Sequence, residues 1–301
     1  MRIGLRYLQA LPVPRLNSCL PNPLHPVRYN MKLNIVPART GIQWVKFGIQ
    51  TFFKQPLALA GLFFMFMAVM SVLSLVPVLG NALALALLPG ATLGLMAATQ
   101  EATKGKFPMP SVLLSAFRVG KQQLRAMLVL GALYAVGFLL VMGLSATIDG
   151  GKFARLYLIG GSLTKELVLD ADFQLAMWAS MALYLPLSMM FWHAPALVHW
   201  HGVAPVKSLF FSMVACWRNV GAFTVFSLTW MAVFMGAGML VTSLAAMIGG
   251  AEAAGAAMFP TAMLMAAMFF TSIYFTFRDS FEVTLDDTKD HTKDDTRGET
   301  V

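Results

Sequence analysis

LALAGLFFMFMAVMSVLSLVPVLGNALALALLPGATLGLMAATQ, residues 57–100, contains no charged side chain. A single helix of this length would extend about 66 Å at roughly 1.5 Å per residue. The hydrocarbon core of a bilayer is only about 30 Å thick, so the segment must cross, turn and cross back. The turn is tight and falls around Pro77, Leu79, Gly80 and Asn81. The rest of the chain follows suit. Of 301 residues, 58% are hydrophobic and 12% charged, against about 25% charged in soluble domains. The expected fold is all-α and membrane-embedded, with six spans at about 57–78, 81–99, 126–148, 175–198, 222–248 and 256–277. A Gly/Ala-rich turn from Gly249 to Gly255, carrying Glu252, joins the last two.

The basic residues orient these spans. Arg2, Arg6, Arg15, Arg28, Lys32, Arg39, Lys46 and Lys54 precede the first span, and Lys104, Lys106, Arg118, Lys121 and Arg125 follow the second. Lys207 and Arg218 follow the fourth, and Arg278, Lys289, Lys293 and Arg297 follow the sixth. Only Lys152, Arg155 and Lys165 fall on the opposite side, accompanied by acids. Lys and Arg accumulate in cytoplasmic loops, which predicts a multi-pass cytoplasmic (inner) membrane protein with both termini in the cytoplasm. The net charge of +8 is therefore an orientation signal and not a nucleic-acid signature. Cys19 and Cys216 lie in unlike contexts and form no metal motif, so no disulfide framework is expected.

Residues 1–30 are rich in Pro, Arg and Asn and lack the apolar run of a signal peptide. They read as an upstream extension, disordered, with Met31 as the expected start; the alternative is a disordered basic arm. A single transmembrane domain then occupies 31–280. Residues 281–301 alternate Asp, Thr and Lys with few apolar residues, which predicts a disordered tail.

Amphipathic segments precede spans one, three and five. Gln43, Lys46, Gln50 and Lys54 oppose Ile42, Val45, Ile49, Phe52 and Phe53. Ser111, Ser115, Arg118, Gln122 and Arg125 oppose Leu113, Leu114, Phe117 and Leu124. Ser208, Ser212 and Asn219 oppose Leu209, Phe210, Met213, Val214 and Trp217. Helices with one apolar stripe and basic flanks lie in the headgroup layer. Each segment ends on a basic residue and an amide: Lys54–Gln55, Lys121–Gln122 and Arg218–Asn219. The chain thus parses as three units, about 41–99, 110–199 and 204–277, each an interfacial helix and a hairpin of spans. The same pattern would arise simply because spans need basic anchors at their cytoplasmic ends. Lys46, Lys54, Lys121, Arg125, Lys207 and Arg218 are the candidate headgroup anchors, with the bilayer, and anionic lipid in particular, as partner.

Candidate chemistry is sparse. The six spans hold no Asp, Glu, Lys or Arg, the usual markers of ion and proton pathways. No nucleophile–base–acid set is visible, so no enzyme activity and no cofactor is expected. His193, His199 and His201 in FWHAPALVHWHG (191–202) are the one potential metal set. A catalytic zinc would want three such ligands, yet no acid stands near to orient the rings. Aromatic and His side chains collecting at a membrane interface are the better account of them. Met231, Met235 and Met239 form a thioether stripe that could suit Cu(I) or fill gaps between helices. Pro89, Pro186 and Pro260 interrupt spans two, four and six and could open a cavity. Gly236 and Gly238 permit close helix contact.

LNIVPARTGIQWVKFGIQTFFKQPLALAGLFF (33–64), SLVPVLG (74–80), LLPGATLGLMAA (87–98) and FWHAPALVHWHG with the following P-x-KSLFFS and RN-x-x-AF resemble a family of bacterial multi-spanning inner-membrane proteins, across about 31–280. The resemblance implies no particular activity, cofactor or catalytic residue, and the family begins near Met31. The architecture also resembles membrane domains found beside phosphodiesterases; this chain has no such domain, so that activity does not transfer. Three functions compete. A non-enzymatic scaffold or envelope-maintenance protein fits the missing ionisable groups best. A transporter or lipid-handling protein would use the kinked spans, and a membrane enzyme would centre on the His cluster.

Overall fold

The computed structural model describes residues 29–76, 79–118 and 120–285. The chain divides into two units. Leu33–Glu282 holds every described helix; the other unit comprises Met1–Lys32 and Val283–Val301, of which 29–32 and 283–285 are described. Strand β1 (Tyr29–Leu33) pairs with β2 (Phe281–Leu285). The tail was expected to be disordered from 281, but its first five residues form β2. Expectations about residues 1–28 and 286–301 lie outside the described residues.

The fold is an all-α membrane fold, with five helices long and apolar enough to cross a membrane. The helices run α1 (Thr40–Lys54), α2 (Pro56–Ser74), α3 (Leu79–Thr103), then a 3-10 turn (Pro110–Leu114) and α4 (Ser115–Arg118). They continue with α5 (Lys121–Asp149), α6 (Lys152–Ile159), α7 (Lys165–Leu169), α8 (Ala171–Trp192), α9 (Ala194–His201), α10 (Pro205–Arg218) and α11 (Val220–Ser280).

The 61 residues of α11 are not one straight rod. Gly249 (φ −137°) and Gly250 (φ +71°) leave helical geometry. Trp230 Nε1 donates to Ser272 Oγ at 3.1 Å across 42 residues of sequence, which a straight helix would hold about 63 Å apart. The rings of Phe226 and Phe269 also meet, at 5.8 Å. So α11 is a hairpin. Its break is confined to two glycines, shorter than the seven-residue turn expected from the sequence, because Ala251 to Gly255 resume the helix.

The in-plane segments depart from expectation in two ways. First, α1 does not merely rest one apolar face at an interface. Trp44 is fully buried and its Nε1 donates to Asp279 Oδ2 at 2.9 Å. Gly41 and Gly48 bring its backbone against α11: a Cβ on Gly41 would lie 2.3 Å from the Ala222 carbonyl oxygen, and one on Gly48 2.5 Å from Ser272 Cβ. Phe52 joins Leu62, Phe63, Phe66, Leu95 and Ala267 in one apolar core. Second, the segment 111–125 is not one helix. Gly120, at φ +129°, breaks it, so Ser111 to Arg118 form a short turn and a four-residue helix, while Lys121, Gln122 and Arg125 open α5. The third segment, α10, is a continuous helix that buries Ser208, Ser212, Ala215 and Cys216 and exposes Val206, Phe210 and Trp217. Small residues let it lie close on α8, where Ser212 Oγ donates to the Met189 carbonyl at 2.7 Å.

The segment expected to span 175–198 breaks at His193, between α8 and α9, where Pro195 cannot donate to the helical ladder. Asn219 forms the joint between α10 and α11. Its Oδ1 accepts from the Val36 N–H at 2.8 Å, and its Nδ2 donates to the Asn34 carbonyl at 3.0 Å, which pins the segment ahead of α1.

Candidate functional site: two stacked cavities and a basic end

Three groups of residues bear on function. The first is the set of basic anchors. Lys46, Lys54, Lys121, Arg125, Lys207 and Arg218 are all exposed, and among the described residues none forms an ion pair. α2 and α3 pack together, as do α3 with α5 and α5 with α8. Lys46 and Lys54 lie on α1, Lys121 and Arg125 open α5, and Lys207 and Arg218 lie on α10. Lys207 also lies 5.8 Å from the Phe211 ring centroid.

The second group is histidine. His193 is fully buried, and among the described residues neither ring nitrogen has a hydrogen-bond partner. Phe223, Phe277 and Phe281 surround it at 5.4–5.9 Å between centroids, and its backbone N–H donates to Ser212 Oγ at 2.9 Å. His201 stacks on Phe277 at 5.7 Å, and His199 lies against Trp200. Among the described residues no three His, Cys, Asp or Glu side chains converge on a metal position. The three histidines are thus distributed around aromatic rings. Met231, Met235 and Met239 are exposed on the outside of the α11 hairpin. Cys216 is buried, and burial pushes its thiol up to about 12.

Of the third group the sequence signalled only the helix-interrupting prolines. A cavity of about 280 Å³ is lined by Met70 and Ser74 of α2, Asn81, Leu85 and Leu88 of α3, Tyr134 and Phe138 of α5, Tyr157 of α6 and Tyr184 of α8. A second, of about 190 Å³, is lined by Leu88, Pro89 and Thr92 of α3, Tyr134, Tyr184, Ser188 and Trp192, and by Phe269 and Ile273 of α11. Leu88, Tyr134 and Tyr184 belong to both. Along α3 the lining runs from Asn81 to Leu88 in the first cavity and on to Thr92 in the second, and along α8 from Tyr184 to Trp192. The cavities are therefore stacked end to end along the bundle. Pro89 cannot bond the Leu85 carbonyl as a helical N–H would, and both residues line the site. Of the prolines singled out in the sequence, Pro89 is at the cavities and Pro186 lies between two lining residues of α8.

Three of the six tyrosines in the chain face these cavities. The Tyr134 and Tyr184 hydroxyls are 3.1 Å apart. Lys152 of α6 is paired with Asp170, which also caps α8 by accepting from the Asp172 N–H at 2.9 Å.

Over 256 residues the chain is 41% identical to a probable inner membrane protein of Burkholderia thailandensis, covering 84% of this chain and 95% of that one. The chain belongs to that family of inner-membrane proteins. It is accordingly an integral, multi-pass membrane protein of the inner membrane, in contact with the lipid bilayer. No family model and no solved structure matches it.

Proposed function

We propose that this protein crosses the inner membrane six times with both termini cytoplasmic, and that it is a non-enzymatic scaffold that gathers anionic phospholipid at its cytoplasmic end. The observation that carries the reading is the set of six exposed cations that, among the described residues, form no ion pair; their flanking positions beside the spans support one shared cytoplasmic end. A basic side chain near an anionic surface contributes about 1 kcal/mol, so six of them support strong enrichment of phosphatidylglycerol over a zwitterionic lipid. The orientation rests on the uneven distribution of Lys and Arg between the two sides. The count of six rests on four further crossing helices beside the two arms of the α11 hairpin. Charge-free spans fit a scaffold better than an ion-coupled pump.

The test is native mass spectrometry of the full chain released from nanodiscs of phosphatidylcholine and phosphatidylglycerol. The expected result is preferential retention of phosphatidylglycerol, reduced at least tenfold when the six cations are changed to Gln. Equal retention of both lipids by the unaltered protein would overturn the reading. Accessibility of a cysteine placed at Glu252 to an impermeant thiol reagent from the periplasmic side checks the orientation.

A further inference from the structure

The stacked cavities share no lining residue with the six basic anchors and have a different chemistry. None of the residues lining them is charged. The outer cavity carries Ser74, Asn81 and Tyr157 at its mouth, with Ser74 and Tyr157 exposed. The inner one is walled largely by Leu88, Phe191, Trp192, Phe269, Phe270 and Ile273. Polarity therefore falls with depth, as it does along an amphiphile.

Length and volume agree. From Asn81 to Thr92 the lining advances eleven residues of α3, about 16 Å of helix. That is close to half of the ~30 Å hydrocarbon thickness, the depth of one leaflet. The two volumes, about 280 Å³ and 190 Å³, together fall within the ~300–1,000 Å³ typical of small-molecule sites.

The phenols supply the recognition. Tyr134 and Tyr184 share one hydrogen bond. In such a pair one hydroxyl donates and the other accepts, and the acceptor keeps a proton of its own to donate. Among the described residues neither hydroxyl has another hydrogen-bond partner. Away from water, an unused donor favours any ligand that brings an acceptor oxygen to it.

The geometry points to a single binding site for one membrane phospholipid of the leaflet at the α6 end. One acyl chain passes Leu88 into the inner cavity, and its ester carbonyl accepts from the Tyr134–Tyr184 pair. The bilayer surrounding the protein supplies this occupant, and the uncharged lining excludes a headgroup from the inner cavity.

The experiment uses the full chain in nanodiscs of phosphatidylethanolamine and phosphatidylglycerol doped with phosphatidylethanolamine carrying a diazirine on the ester-proximal third of one acyl chain. After photolysis, labelled residues are mapped by peptide mass spectrometry. Label is expected at Thr92, Ser188 and Ile273, with Met235 and Met239 on the exposed face of α11 as the bulk-lipid control. Leu88→Trp should lower cavity label at least tenfold and leave the control label unchanged. Tyr134→Phe combined with Tyr184→Phe should lower it at least threefold for the ester-linked probe but not for its ether-linked counterpart. Unreactive Cys216 reports that each variant is folded, and if Leu88→Trp fails that check the tyrosine pair decides. Cavity label no higher than the control, label indifferent to Leu88→Trp in a folded protein, or equal tyrosine dependence for ester and ether probes would overturn the proposal. Cavity label that survives replacement of the six basic anchors separates this site from the basic end.

Discussion

Gly41→Ala tests the most unexpected packing in the molecule, that of α1 on the α11 hairpin. In a free helical position this substitution gains up to about 1 kcal/mol, because Ala fixes less backbone freedom than Gly. Position 41 is not free. The new Cβ would lie 2.3 Å from the Ala222 carbonyl oxygen and 2.6 Å from the Phe226 nitrogen. Ordinary carbon contacts stand about 3.5 Å apart or more, so α1 must withdraw by roughly 1 Å. Both obstacles are backbone atoms, which no rotamer change can move. Overpacking of this kind costs about 1–3 kcal/mol, and here the upper part of that range applies. Withdrawal also strains the Trp44–Asp279 hydrogen bond. After the gain in helix propensity is subtracted, a net loss of about 2 kcal/mol is expected. Gly143→Ala in α5 is the control, since nothing lies within 4 Å of its Cβ; it should be neutral or slightly stabilising. Both are measured by unfolding in mixed detergent micelles, followed by the reactivity of Cys216 in a Cys19→Ser background. If Gly41→Ala matched Gly143→Ala, the close approach of α1 to α11 would be wrong.

His193→Phe should hold stability constant or raise it by about 1 kcal/mol in the same assay, since the ring is buried and neither nitrogen has a partner; a loss of several kcal/mol would restore a polar or metal-binding role. The contact between Lys152 and Asp170 holds α6 to the start of α8, and it should respond to pH at both extremes. Its hydrogen bond to Lys152 lowers the Asp170 pKa, so that contribution is present above the ordinary carboxylate range and is lost as pH falls through the depressed value. The same bond raises the Lys152 pKa, so the lysine contribution holds below the ordinary amine range and is lost as pH rises through the elevated value. Hydrogen exchange of α6 should therefore be flat between these limits, and Asp170→Asn, which retains an N-capping oxygen, should abolish both responses.

Much of this protein is determined by its sequence alone. The charge-free stretch 57–100 must cross a bilayer twice, because unpaired backbone groups are costly in hydrocarbon and only helices satisfy them locally. The basic residues and the breaks at Gly249–Gly250 and at the joints Gln55 and Asn219 are likewise local signals. The sequence was silent on what its apolar faces meet. In a span nearly every side chain is apolar, so periodicity no longer separates a lipid-facing position from a buried one. Trp44 reads as one more interfacial aromatic until α11 closes over it. Gly41 is as small as Gly143, and only the neighbouring helix makes the two differ. His193, conspicuous in the sequence, is packed among phenylalanine rings. Tyr134, Tyr157 and Tyr184 come from three different helices, and each alone is an ordinary aromatic residue. Helix packing alone places their phenols around one cavity, because contacts between distant segments depend on how whole helices cross, which no local pattern encodes.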